Sequence, residues 1–203
     1  MRRALALASS ILAALACLTI AVPAHAQPVW GTGTAELSTD PGFEGLWKYC
    51  FDIHWNTNLW GAQGLSHADV FLSLEECAAA CDPGRFAFAD TVGSGGGEGG
   101  CTVYYVGEFL CEGDPHFPQF PFPTVKFEYY EGDCEPGAVN SAHVCFYSGF
   151  IPAPPAVHPD ALGIKFGQNT GTGPLEGPLP MCEVNPVDET TWGTIKHLYR
   201  KND

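Results

Sequence analysis

The chain has 203 residues, with 23 acidic side chains against nine basic ones, a formal net charge of −14 at pH 7 and nine cysteines. So acidic a balance excludes phosphate-backbone binding, which needs a basic footprint to displace counterions, and no nucleic-acid partner is expected. The length suits one domain with a sizeable core and a short appendage.

The first segment, "MRRALALASSILAALACLTIAVPAHAQ", runs from two arginines through an apolar stretch to Ala24-His25-Ala26. That is the order of a secretory signal over residues 1–26, with the mature chain starting at Gln27. Ala4 to Val22 is nearly long enough to span a bilayer, but the small-residue site favours cleavage, and no membrane span is expected in the mature chain. Lipidation of Cys17 is the weaker alternative, because Ala14 stands where Leu is usual and apolar Leu18 to Val22 follows. Loss of the leader removes Arg2, Arg3 and Cys17, so seven basic residues against 23 acidic ones give −16, and eight cysteines remain. The expected location is secreted or at the cell surface, where an even set of cysteines forms disulfides. Cys50, Cys77, Cys81, Cys101, Cys111, Cys134, Cys145 and Cys182 allow on the order of 100 connectivities. Cys77 and Cys81 have a gap suited to zinc but no second Cys/His pair nearby, so no metal site is assigned to them.

After Gln27, "PVWGTGTAELSTDPGFEG" reads as an edge segment rich in turn residues. In "WKYCFDIHW", Trp47, Tyr49, Phe51, Ile53 and Trp55 alternate with polar neighbours, the period of a strand with one buried face. Trp60, in the turn that follows, is a candidate ligand-stacking residue. "LSHADVFLSL" alternates again, with Ala68, Val70, Leu72 and Leu74 on one side and His67, Asp69, Phe71 and Ser73 on the other. Ser66 and His67 therefore face apart and cannot act as nucleophile and base, whereas His67 and Asp69 share a face and form a possible polar site on the less buried side.

A turn or two of helix is expected at "SLEECAAAC". Further strands are expected at 85–91, 101–109, 124–131, 142–150 and 162–167, separated by Gly- and Pro-rich loops. "GSGGGEGG" lacks the Lys-Ser/Thr ending of a phosphate loop and reads as a hairpin tip. "DPHFPQFPFPTV" interleaves Phe117, Phe120 and Phe122 with prolines, which keeps it out of a central strand and makes its rings candidates to stack on a sugar or dock a protein. His54, His116, His143 and His158 show no paired spacing. No cofactor is expected; Asp40, Asp69, Asp82, Asp90, Asp114 and Asp133, in or near loops, make calcium the cation to consider, although no D-x-D-x-D-G loop is present.

About seven short strands with little helical periodicity predict an all-β fold, an antiparallel β-sandwich of Ig-like or jelly-roll-like type, spanning 27–182. A linker and tail, 183–203, ends in a short amphipathic helix. The body resembles exported bacterial disulfide-containing β-sandwich modules. "FLSLEECAAAC", Phe71 to Cys81, resembles the closing helix of Kunitz-type inhibitors, but only Cys50 precedes the pair Cys77 and Cys81, so inhibition is not carried over. "PVDETTWGTIKHLYR" resembles a short Trp-Gly-x-Ile-Lys-type element that ends exported bacterial proteins of varied function. That resemblance implies recognition by sorting or attachment machinery through Trp192, Ile195, Lys196, Tyr199 and Arg200.

These features predict an exported, non-catalytic surface or extracellular module that binds a glycan or protein. The alternative is a secreted hydrolase whose site assembles from distant loops. Convergence of His67 and Asp69 with a serine or second carboxylate in a cleft favours the hydrolase; a flat aromatic patch favours binding.

Overall fold

The computed structural model describes residues 28–58, 64–72, 81–132 and 134–181. Twelve strands run in chain order: β1 Val29–Leu37, β2 Trp47–Asn56, β3 His67–Phe71, β4 Phe86–Ala87, β5 Gly93–Gly96, β6 Thr102–Leu110, β7 Thr124–Gly132, β8 Val139–Ser148, β9 Ile151–Pro152, β10 Ala156–Phe166, β11 Asn169–Gly177 and β12 Pro180–Met181. Among the described residues the helical turns are two single 3-10 turns, Pro83–Arg85 and Glu98–Gly100. The expected helices at "SLEECAAAC" and in the tail fall outside the described residues.

The fold is all-β, but it is a closed barrel and not the sandwich expected from the sequence. The sheet runs β2-β1-β11-β10-β3-β7-β6-β5-β8, and β8 pairs back onto β2, giving a nine-stranded circuit. The closing pair is antiparallel along the whole of β2, from Trp47 opposite Ser148 to Asn56 opposite Val139. Short β4 extends β8 at Phe86 opposite Ser148. β9 and β12 form a separate two-stranded ribbon. A period-2 pattern reports that one face is buried; it is equally compatible with packing on a second sheet and with a sheet that curls onto itself.

Closure depends on strands absent from the sequence expectations. The presumed edge segment supplies β1, which pairs with β2 over nine residues and runs parallel to β11 at Gly31 and Thr32. Gly173 of β11 makes that approach possible, since a Cβ there would run into the carbonyl of Val29. The start of "GSGGGEGG" is β5, a wall strand between β6 and β8, rather than a hairpin tip. The strand expected at 85–91 contracts to β4.

Side chains fill the barrel. Tyr49, Phe51, Ile53 and Trp55 of β2 are buried as the alternation predicts, against Tyr105, Phe127, Val144, Phe146, Leu162, Ile164 and Phe166. The polar handles of these rings are satisfied: Tyr49 Oη donates to the carbonyl of Phe150 (2.9 Å), Trp55 Nε1 to that of Gly137 (2.8 Å) and Tyr105 Oη to that of Gly95 (3.4 Å). Such hydrogen bonds let large amphipathic rings enter a core without leaving a polar group bare.

Three disulfides are present among the described residues. Cys50–Cys145 joins β2 to β8 at directly opposed positions. Cys81–Cys111 and Cys101–Cys134 tie loops to the wall. Cys77 and Cys182 lie outside the described residues. Disulfides of this number accompany oxidising, extracellular compartments. No helix among the described residues is long and apolar enough to cross a membrane.

Candidate functional site

Strand β3 is buried on both faces. Ala68 and Val70 point into the barrel, as alternation predicts. His67, Asp69 and Phe71 point outward, yet they are not on a less buried face: His67 is 2% exposed and Asp69 fully buried. The cover is the Pro-rich connection between β6 and β7, residues 111–123, which folds back over β3.

Local chemistry shapes that cover. The Asp114 carboxylate accepts from the His116 backbone N–H (2.6 Å) and lies 2.7 Å from its Nδ1, closing a tight turn. Backbone bonds from Phe117 to Asp114 and from Phe120 to Phe117 continue the bend. The rings then face the barrel: Phe117 is fully buried and meets Phe71 edge-on at 5.3 Å, and Phe120 stacks on Phe71 at 4.6 Å. Gly163 on β10 leaves the room, because a Cβ there would lie 2.7 Å from Phe71 and 2.9 Å from Phe117. Cys81–Cys111 fixes the root of the loop.

Beneath it, two parts of the chain converge. His67 Nε2 lies 3.5 Å from Asp69 Oδ2 and 3.4 Å from Asp114 Oδ2. The His67 and His116 rings stand 5.2 Å apart. Lys126, opposite Asp69 on β7, places Nζ 4.0 Å from Asp114 Oδ2 and 3.2 Å from both Glu108 and Glu128. His67 Nε2, both oxygens of Asp69 and Asp114 Oδ2 are buried without a hydrogen-bond partner. A buried polar atom left bare costs about 1–3 kcal/mol, and more when it is charged.

The electrostatics follow from burial. Asp69 is pushed up to about 8, first by burial and then by the neighbouring Asp114 carboxylate. Burial holds His67 below its ordinary range, against the pull of Asp114. For Asp114 burial acts upward, but the two hydrogen bonds from His116 together with the neighbouring histidines outweigh it and lower the carboxyl. Two carboxyl groups and an imidazole thus face one another with their facing atoms unpartnered, an arrangement that a cation resolves.

The donors of His67, Asp114 and His116 lie within 4.8 Å of one another, close enough to share one ion. Cys50, His143 and Cys145 also cluster, but their thiols are consumed in a disulfide. The other sequence candidates disperse. Asp40 pairs with Lys48 (2.7 Å), Asp82 caps a 3-10 turn, His54 stacks on Trp30, and His143 lies 2.8 Å from Asp52. Phe120 and Phe122 are half-buried. Trp60, Asp133 and the tail residues Trp192, Ile195, Lys196, Tyr199 and Arg200 lie outside the described residues.

Sequence reasoning kept Asp114 and His116 apart from His67 and Asp69. The signal available was the mirrored spacing, His-x-Asp at 67–69 and Asp-x-His at 114–116. Fold and site together define a disulfide-braced β-barrel with a roofed His/Asp cluster on its outer wall. No protein-family model and no curated protein matches the chain.

Proposed function

We propose that the protein is an exported, non-catalytic binding module, secreted or held at the cell surface, whose ligand is a small cation taken between β3 and the 111–123 loop. The observation that carries this reading is the set of four buried polar atoms of His67, Asp69 and Asp114 without partners. The leader-like N-terminus and the three disulfides support export. The tail element, through Trp192, Ile195, Lys196, Tyr199 and Arg200, is the part offered to sorting or attachment machinery.

The hydrolase alternative gains a second carboxylate beside His67 and Asp69, the arrangement it called for. It lacks the cleft: His67, Asp69 and Asp114 are each at most 3% exposed, so a scissile bond has no route to them.

The test uses the full gene, leader included, expressed in a bacterial host. The protein should leave the cytoplasm with its N-terminus at Gln27 and its cysteines paired. Dialysed against mixed calcium, magnesium and zinc salts, it should retain a stoichiometric cation by elemental analysis. Uncleaved, reduced protein kept inside the cell would overturn export, and a metal-free protein after dialysis would overturn the ligand. Turnover of ester, peptide or glycoside substrates that disappears in Asp69→Asn would restore the hydrolase.

A further inference from the structure

We infer that the cation is a first-row divalent transition ion of the zinc class, held by His67 from β3 and by Asp114 and His116 from the loop, with the Asp69 carboxyl beside His67; this rests on the cluster being a cation site. Donor type is the first argument. Calcium and magnesium take oxygen ligands, whereas imidazole nitrogen with carboxylate suits zinc and its neighbours. His67 Nε2 is buried and unpartnered in the middle of the cluster, where a calcium site would present another oxygen.

Spacing is the second argument. A tetrahedral ion with bonds of about 2.0–2.1 Å has ligand-to-ligand edges of about 3.3–3.4 Å. His67 Nε2 stands 3.4 Å from Asp114 Oδ2, nearly an edge of such a figure and too long for a well-made hydrogen bond, and the donors of His67, Asp114 and His116 all lie within 4.8 Å of one another. The third argument is closure. One donor comes from a rigid wall strand and two from a loop held at its root by Cys81–Cys111, so one ion pins the roof to the barrel. The His116 side chain is 46% exposed, which gives the ion an entry from solvent.

The experiment uses the full mature protein without a histidine tag, stripped with chelator and titrated separately with zinc, cobalt(II) and calcium. Zinc should bind at one per chain, about 100-fold more tightly than calcium, and raise the melting temperature. Cobalt(II) should give the intense visible bands of a four-coordinate site. Asp114→Asn and His116→Ala should each weaken zinc at least about tenfold, as loss of even a supporting group does. His116 is exposed enough for its variant to keep the fold, verified by unchanged near-ultraviolet dichroism and disulfide count. His143→Ala, on β8 beside the Cys50–Cys145 disulfide, should leave binding unchanged. Calcium binding as tightly as zinc would overturn the zinc assignment and leave the cation site standing. Binding of none of the three ions would overturn both, and zinc lost in His143→Ala but kept in His116→Ala would place the ion elsewhere.

Discussion

Gly163 lies directly opposite Asp69 in the β10 and β3 pairing, and the space left by its missing side chain is occupied by Phe71 and Phe117. A hydrogen in place of a side chain on one strand therefore lets the neighbouring strand's carboxylate be roofed. Gly163→Val should displace the Phe117 ring and cost about 1–3 kcal/mol by overpacking. Urea unfolding measures that cost, and proteolysis within 111–123 should quicken. Unchanged stability and loop protection would show that the roof does not depend on this gap.

Gly173 holds a different approach. Its Cβ position coincides with the backbone of Val29 where β1 and β11 run side by side. A backbone clash relaxes less readily than one with a side-chain tip, so Gly173→Ala should cost about 3 kcal/mol. The thermal midpoint should fall in a purified variant with all disulfides intact; an unchanged midpoint would mean that the two strands tolerate separation.

Asp40 provides a pH-dependent contact away from the cluster. Its carboxyl is held below its ordinary value of 3.8 by the hydrogen bond from Lys48 and then by that from Tyr147. A depressed carboxyl contributes stability that is present above the unfolded value and is lost as pH falls through the folded one. Carbon-detected NMR titration should place the Asp40 midpoint below 3.8, and Lys48→Met should return it upward. A midpoint at or above 3.8 in the wild type would remove the ion pair from solution.

Replacing both Cys81 and Cys111 by Ser removes the cross-link at the root of the roofing loop. The loss should be about 2–4 kcal/mol in equilibrium unfolding. An unchanged unfolding midpoint would assign the loop's placement to its aromatic contacts alone.

The inward face of β2 was legible because Tyr49, Phe51, Ile53 and Trp55 keep strict alternation. Barrel closure was not, because it depends on β1 and β11, whose glycines and Pro174 resemble turn chemistry and pack only once the neighbouring strand is in place. The common face of His67 and Asp69 followed from strand geometry. Their burial did not, since it is imposed by a loop distant in sequence whose phenylalanines turn onto Phe71 rather than toward solvent. Proline content correctly kept that loop out of the sheet, but it carried no information about which surface the loop would cover.

The Cys50–Cys145 bond crosses the seam at which the barrel closes, joining strands whose cysteines are 95 positions apart. Under oxidising conditions that seam is riveted and cannot peel. Force or heat must find another line of parting, and the wall offers one at β1 and β11, whose parallel register comprises two residue pairs, Gly31 with Leu175 and Thr32 with Glu176. The barrel should then open as a hinged sleeve, with β2 and β8 as the hinge, and since those two strands are also paired along the whole of β2, reduction of that single bond should leave the break at β1 and β11.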